Sequence, residues 1–371
     1  MNIIQINKYY YPQIGGIEKA VQVLSESLLN DTNEVRVLCC QKKGSALSEI
    51  IGGVLVTRSA TLGTLFRMPI SFGFLFDFKY YAKNADIVHL HMPFPLADLA
   101  LFLSRYKGKV FLYWHSDVIR QKKLMPFYKP LLNWTLRRAD KIIAATKSHI
   151  ESSPYLKPFE KKCVVIPYGL DISEYENFET EENFLETNKP GMKKILFVGR
   201  LVYYKGVNVL LHAFKNVDGA ELFIVGKGEL EGTLQEIAYE LKITDKVHFL
   251  GELDDEDIKS AFADCDFFVL PSTENSEAFG IVQLEAMVYG KPVINTSLPT
   301  GVPEVSIGGE TGLTVKPNDP TALGKAIQFL VEDVSEYERF SKNAYKRVRK
   351  HFDREVNMKR ISDLYSAQTE N

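Results

Sequence analysis

Residues 271–290, PSTENSEAFGIVQLEAMVYG, constrain the fold of this chain more than any other stretch. They follow Phe267-Phe268-Val269-Leu270, an apolar run that reads as a buried strand of a parallel sheet. Ser272 to Ser276 is polar and turn-rich. Gly280 then opens a segment with Ile281, Leu284, Ala286, Met287 and Val288, the pattern of a mostly buried helix. A loop therefore leaves the carboxyl end of a strand and enters a helix N-terminus. Backbone N–H groups and the positive end of the helix dipole meet there, which suits a phosphate.

Two carboxylates frame this stretch: Glu277 in the loop and Glu285 in the helix, with seven residues between them. Neither contacts a phosphate, because like charges repel. Both can accept hydrogen bonds from hydroxyls, and a ribose or a hexose offers hydroxyls in pairs. Phosphate in the middle and hydroxyls at both ends outline a nucleotide-sugar. A glutamate near a helix start often only complements the dipole, and that would account for Glu285 alone. The whole run E-A-F-G-I-V-Q-L-E is more specific.

The spacing E-x7-E, with Phe279-Gly280 after the first glutamate, resembles the family-4 glycosyltransferases, retaining enzymes of the GT-B fold. Similar motifs run from residue 9 to beyond residue 310. The resemblance implies an α/β chain of two Rossmann-like domains facing each other across a cleft, with a C-terminal helix crossing back to the first. It is of the bacterial surface-polysaccharide, mannosyltransferase-like type. Domain bounds expected on this basis are 1–170 (with about 351–371 packing back on it), a linker at 171–192, and 193–350.

A chain of 371 residues is long enough for two such domains. No apolar run approaches the roughly 20 residues of a spanning helix. The start, MNIIQINKYYYP, lacks a basic, apolar and small-residue leader pattern, so no signal peptide is expected. Cys39, Cys40, Cys163 and Cys265 form no C-x-x-C, and read as reduced thiols of a cytoplasmic protein. Residues 1–170 carry 23 Lys/Arg against 12 Asp/Glu, a net of +11, whereas residues 171–371 carry a net of −13. A basic N-terminal half calls for an anionic partner: a membrane surface or a lipid-linked phosphate. No nucleic-acid motif accompanies it.

In chain order, Asn2–Ile6 reads as the first strand, and Pro12, Gly15 and Gly16 as a flexible turn before a helix bearing Ile17, Ala20, Val21, Leu24 and Leu28. Paired glycines after a strand are usually only a turn. Their likeness to the family's P-x-x-G-G-x-E implies that Gly15 and Gly16 face the donor, with Glu18 structural or near the acceptor. The stretch 61–78 is rich in Phe and Leu: Leu75 to Tyr81 reads as a buried helix, and residues 65–74 as an exposed apolar loop able to enter a bilayer interface. Asp86 to His91 and Val110 to Trp114 read as strands ending at the sheet's carboxyl edge, where open α/β sheets bind ligands. His115 and Asp117 follow the second. The family implies a histidine here beside the acceptor and reacting sugar. His115 matches it, His91 is a lesser candidate, and His89 reads as satisfying neighbouring backbone. Residues 120–141 interleave Arg120, Lys122, Lys123, Lys129, Arg137 and Arg138 with Leu124, Met125, Phe127, Tyr128, Leu131 and Trp134. That composition fits a helix lying on an anionic membrane and, equally, an amphipathic helix with a solvated basic face.

The second half opens with a strand at Lys194–Val198, running into Gly199-Arg200 and, after four residues, Lys205-Gly206 before a helix. Surface Arg and Lys are usually just solvated. Two cations fixed at a strand end are also what a leaving diphosphate needs, and the family implies that role for Arg200 and Lys205. Gly226 to Gly232 has G-x-G-x3-G spacing, which is not the dinucleotide fingerprint. Gly226 and Glu252 are expected to line the nucleotide site, as are Ala278, Phe279, Gly280, Ile281, Val282 and Glu285. Glu336 to Ser366 is charged with apolar residues at helical spacing.

The reading is a retaining hexosyltransferase, EC 2.4 in type. It moves a sugar, best matched by mannose of GDP-mannose, to a hydroxyl of a lipid-linked or oligosaccharide acceptor. Catalytic assignments are His115, Arg200, Lys205 and Glu277, with Asp117 on the acceptor side. The His and Cys residues show no metal-ligand spacing, so neither an essential metal nor a cofactor is expected. Expected partners are the nucleotide-sugar, the acceptor and an anionic membrane surface through 120–141, but no nucleic acid. The expected site is the cytoplasm, or the inner face of the cytoplasmic membrane as a peripheral protein. Two alternatives stay open: an epimerase of the same fold acting on a UDP-sugar, and a non-catalytic sugar-binding subunit.

Overall fold

A computed structural model describes residues 1–13, 15–29, 32–65, 68–117, 125–181 and 183–369. The chain divides into two compact units, Met1–Pro167 with Glu355–Asn371, and Tyr168–Arg354.

The first unit is an α/β layer structure. Its strands are β1 (Asn2–Ile6), β2 (Glu34–Cys40), β3 (Leu47–Ile51), β4 (Val54–Ser59), the short β5 (Gly63–Leu65) and β6 (Met68–Ile70), β7 (Ile87–Met92), β8 (Lys109–Trp114), β9 (Lys141–Ala144) and β10 (Cys163–Val165). They alternate with helices α1 (Gly16–Ser27), α2 (Phe72–Ala82), α3 (Pro95–Ser104), α4 (Met125–Arg138) and α5 (Lys147–Ser152). The main sheet runs β10-β9-β8-β7-β1-β2-β4-β3. All pairs are parallel except β3 with β4, and β5–β6 is a separate antiparallel hairpin.

The period-2 alternation of the strands sorts their side chains onto two faces. Ile4, Ile6, Leu38, Val88, Leu90 and Leu112 pack in one buried cluster with Phe74 and Phe78 of α2, Leu101 of α3 and Leu132 of α4. Burying each such side chain contributes about 1.5–3 kcal/mol. The opposite face carries Gln5, His89, His91, Phe111 and Tyr113, all buried.

The second unit begins with α6 (Ile172–Glu176) and holds a wholly parallel sheet. Its strands are β11 (Lys193–Val198), β12 (Ala220–Val225), β13 (Val247–Gly251), β14 (Phe267–Val269), β15 (Val293–Thr296) and β16 (Gly312–Val315), in the order β13-β12-β11-β14-β15-β16. The helices are α7 (Val207–Phe214), α8 (Glu231–Glu240), α9 (Asp255–Asp264), α10 (Val282–Val288), α11 (Val302–Val305), α12 (Pro320–Glu332) and α13 (Val334–His351). Aspartate caps start three of them: Asp254, Asp319 and Asp333 each accept a first-turn backbone N–H. A last helix, α14 (Arg354–Thr369), belongs to the first unit, where Tyr365 meets Phe111 edge-on at 4.6 Å.

Glu336–Ser366 breaks at Phe352-Asp353 into α13 and α14, close to residue 351, where the returning segment is expected to begin. Two elements differ from expectation. Helix α2 buries only Phe74, Phe78 and Ala82, and its other face is exposed. Residues 65–74 are not a loop throughout, since β6 and the start of α2 lie in them; Phe66 and Arg67 are outside the described residues.

Behind the stretch 271–290 lies a polar tie. Asn295 Nδ2 donates to Gln283 Oε1 at 2.9 Å and to the carbonyls of Val302 and Ser306, and its Oδ1 accepts from Thr314 at 2.7 Å. Gln283 in turn donates to the Phe279 carbonyl at 3.2 Å. All three side-chain groups of this tie hold the loop that precedes α10 against β15 and β16. Asn295→Leu strands several buried partners at once, so it is expected to cost roughly 3 kcal/mol. Urea unfolding followed at the second unit checks this, and a loss below about 1 kcal/mol would show that the tie is hydrated or dispensable.

Candidate functional site

In the second unit the chemistry gathers where β11, β12 and β14 end. Gly199 leaves β11, Arg200 follows it, and a single 3-10 turn (Tyr203–Lys205) delivers Lys205. Gly206 then takes φ +70, and a Cβ there would lie 2.1 Å from the Pro271 carbonyl oxygen. Glycine is required by both the left-handed backbone and the close approach. The amide of Thr273 donates to the Tyr204 carbonyl at 2.8 Å, so the loop after β11 is laced to the loop after β14.

That lacing creates a contact no sequence spacing announced. Lys205 Nζ lies 2.6 Å from Glu277 Oε2, with both side chains nearly nine-tenths buried. Ser272 Oγ also donates to Glu277 Oε2, at 3.2 Å. The two residues expected to serve different parts of a donor are therefore one ion pair. Arg200 is exposed and donates to the Tyr204 hydroxyl at 3.2 Å.

Glu285, on α10, accepts from the Tyr175 hydroxyl at 3.2 Å. Burial holds its carboxyl above the usual carboxylate range, and the Tyr175 hydrogen bond offsets part of that rise. Tyr175 lies on α6, inside the stretch 171–192 expected to be a linker. Phe279 is buried, with its ring edge-on to Tyr168 at 5.0 Å, so it offers only its backbone to a ligand. Ala278 O accepts from Gly301 N at 2.8 Å, and Gly280 turns the chain at φ +72 into Ile281 and Val282. Gly226 packs so tightly that a Cβ would lie 2.2 Å from the Gly199 carbonyl oxygen. Glu252 is solvent-exposed, 3.9 Å from Lys227 Nζ.

In the first unit, Gly15 caps α1 and the Glu18 carboxylate sits over it, 2.2 Å from where a Cβ would be; Gly16 faces open space. His115 follows β8 and is buried. It belongs to a stacked array with His91 (5.1 Å) and Tyr113 (4.6 Å), and His91 stacks on His89 at 4.9 Å. A hydrogen-bonded chain threads the array. Gln5 Nε2 donates to the Tyr365 hydroxyl at 3.3 Å, and that hydroxyl bonds His89 Nδ1. Gln5 Oε1 accepts from His91 Nε2 at 3.0 Å, leaving His91 Nδ1 to accept from His115 Nε2 at 2.8 Å. With Gln5 in this orientation, the tautomers of His91 and His115 are set, and His115 carries its proton on Nε2.

Burial pushes His89 and His115 down to about 3, aided by His115 for the former and His149 for the latter. His91 is also held well below its usual value by burial and by both neighbours. Asp117 Oδ1 accepts from Trp114 Nε1 at 2.9 Å and from Ser153 at 2.7 Å. Burial raises the Asp117 carboxyl, but hydrogen bonds from His149, Ser153 and Trp114 outweigh it and hold the group below its ordinary value. Asp117 thus anchors the loop that carries His115. Gln5 and Tyr365 went unnoticed in the sequence, although a lone glutamine in the apolar strand N-I-I-Q-I was a signal. Arg120, Lys122, Lys123 and Leu124 lie outside the described residues. Among the described residues, no cluster of three His, Cys, Asp or Glu could hold a metal ion.

Comparison with known proteins defines the class. The profile described as "Glycosyl transferases group 1" matches residues 179–347, and that described as "Glycosyltransferase Family 4" matches residues 14–174. The chain belongs to the family-4 glycosyltransferases, with the GT-B fold. It is 36% identical over 354 residues to a protein of Pseudomonas aeruginosa named D-rhamnosyltransferase WbpZ, covering 95% of this chain and 92% of the relative. It is 30% identical over 372 residues to the O-antigen chain mannosyltransferase C of Escherichia coli, covering 100% and 99%. Its fold is similar to that of sucrose-phosphate synthase from Thermosynechococcus elongatus, with a TM-score of 0.78 at 22% identity over 99% and 98% of the two chains. Anabaena HepE, solved with UDP, also scores 0.78, at 19% identity over 99% and 100%.

The histidine array carries a pH expectation. Its folded values lie below the roughly 6.5 of a free imidazole, so the unfolded chain takes up protons first as pH falls. The stabilising contribution is complete above about pH 6.5 and is lost progressively towards about pH 3. His89, His91 and His115 are expected to keep neutral-imidazole ¹⁵N shifts, with His115 protonated on Nε2, from about pH 8 to about pH 5. Any of the three titrating near 6.5 would show that water enters the array.

Proposed function

We propose that this chain is a retaining hexosyltransferase that moves a manno-configured sugar from a nucleotide-sugar to a hydroxyl of a lipid-linked or oligosaccharide acceptor. The setting is synthesis of a bacterial surface polysaccharide. GDP-mannose is the proposed donor. One observation carries the reading: Lys205 and Glu277 form a nearly buried ion pair at the strand ends, beside Arg200. The names of two relatives support the sugar class. Mannose and D-rhamnose share the configuration at C2, C3 and C4 and differ only in the C6 hydroxyl.

The paired charges suit the chemistry. Lys205 is held by Glu277 with its remaining N–H groups available to a diphosphate, and Arg200 adds a planar fork of donors. These cations, with first-turn N–H groups from Gly280 to Val282, neutralise the leaving diphosphate in place of a metal. Glu277 keeps lone pairs for hydroxyls of the transferred sugar, and Glu285 exchanges its Tyr175 partner for ribose hydroxyls. The bond between C1 and the phosphate oxygen breaks while the acceptor oxygen bonds C1 from the same face. The leaving phosphate oxygen takes the acceptor's proton. His115, neutral and fixed in one tautomer, serves the acceptor side.

Arg200→Ala and Lys205→Ala are each expected to lower kcat by a factor on the order of 10² to 10³. Lys205→Ala should also lower thermal stability, because it leaves the Glu277 carboxylate buried and unpaired, whereas Arg200→Ala should not. Activity should persist in excess EDTA; loss restored by Mg²⁺ would overturn the role given to the two cations. Product analysis separates transfer from release of an epimerised free sugar.

The two glutamates are expected to part company. A carboxylate–hydroxyl hydrogen bond contributes about 1.5 to 3 kcal/mol. Calorimetry should show Glu285→Gln weakening the bare nucleoside diphosphate and the full donor alike. Glu277→Gln should leave the bare nucleotide near wild type and depress transfer. The opposite pattern would reverse the two assignments.

A further inference from the structure

The helical layer of the first unit has an outer face that is exposed among the described residues. On α2, Phe72, Phe76 and Tyr80 fall at i, i+4 and i+8 and are 67%, 75% and 74% exposed. Lys79 and Lys83 lie on the same face. Helix α3, which packs against α2, exposes Leu99, Phe102 and Leu103, and Arg105 and Lys107 follow it. Helix α4, packed against α3, exposes Phe127 at 85%, beside Lys129.

The acids are as informative as the bases. Helices α2, α3 and α4 contain two carboxylates, and neither is exposed. Asp77 is half-buried and accepts from Ser59 at 2.7 Å; Asp98 is buried against the Tyr128 hydroxyl. The outward face of three adjacent helices is thus aromatic and aliphatic with lysine and arginine only. Single exposed hydrophobics are ordinary, but a multi-helix apolar patch is not. A protein partner would need only shape and apolar area there. A face with cations and no anions is complementary to a negative surface with an apolar interior, which is a bilayer bearing anionic headgroups.

We infer that the outer face of α2, α3 and α4 docks on an anionic bilayer, its aromatic side chains entering the interface and its lysines pairing with headgroups. The proposal is independent of the donor contacts proposed for Arg200, Lys205, Glu277 and Glu285, which lie in the second unit. It keeps the part of the expected 120–141 contact that α4 carries and extends it to α2 and α3.

The test is flotation of the full chain with vesicles of phosphatidylcholine alone, and with about one third phosphatidylglycerol. The wild type should partition onto the anionic vesicles, less as salt rises. Lys79→Glu with Lys83→Glu should weaken low-salt binding by at least an order of magnitude, since each basic residue near such a surface contributes about fivefold. Phe72→Ser, Phe76→Ser and Phe127→Ser together should weaken binding on the order of 10²-fold at every salt concentration. Wild-type far-UV circular dichroism and an unchanged thermal unfolding transition of the full chain confirm that both variants are folded. Should the aromatic variant fail to fold, the lysine variant decides. Equal partition of the lysine variant, equal binding to neutral vesicles, or a wild-type dimer that the aromatic variant dissociates without any vesicle binding would each overturn the proposal.

Discussion

The ion pair between Lys205 and Glu277 is the contact on which the arrangement of the second unit's candidate site depends. A buried charge without a partner costs several kcal/mol, so each residue holds the other in place. The pair forms only because two loops meet. Gly206 lets one loop approach the Pro271 carbonyl, and the Thr273 amide laces the other to Tyr204. The Asn295–Gln283 tie then holds the far end of the second loop, at Phe279, and joins it to Val302 of α11. Parallel strands make this possible, because their carboxyl ends all open on one edge.

The first unit solves a different problem. It buries three histidines on one sheet face, where charged imidazoles would be costly. Neutrality and a hydrogen-bond chain that donates from His115 through His91 to Gln5, and from Gln5 to Tyr365, meet that constraint. The outcome is a His115 whose tautomer is set by residues far away in sequence. Asp117, expected on the acceptor side, is engaged with Trp114 and Ser153, and so holds the backbone of the loop that carries His115.

The sheet's other face explains the exposed aromatics. Phe74 and Phe78 of α2 fill the core, so Phe72, Phe76 and Tyr80 must point outward on a helix that is apolar nearly all round. The sequence expectation of a buried helix there followed composition. Composition alone does not say which face of such a helix is left without a partner.

Local pattern was sufficient for the architecture. Apolar runs bounded by glycine-rich loops marked most of the parallel strands, and the E-x7-E and G-R-x4-K-G stretches marked the family, which the comparisons show. These signals are short-range: a strand's burial on both faces and a turn's need for glycine are written in neighbouring residues. The edge strand β3, with its mixed Leu47–Ile51 pattern, was not visible, because pairing and packing rather than propensity decide it. The same holds for the side-chain partnerships. That Lys205 would meet Glu277, Tyr175 would meet Glu285, and Gln5 would join Tyr365 to His91 depends on which strand ends and helices lie side by side. Those contacts are made between residues distant in sequence, and only the tertiary structure brings them within hydrogen-bonding distance.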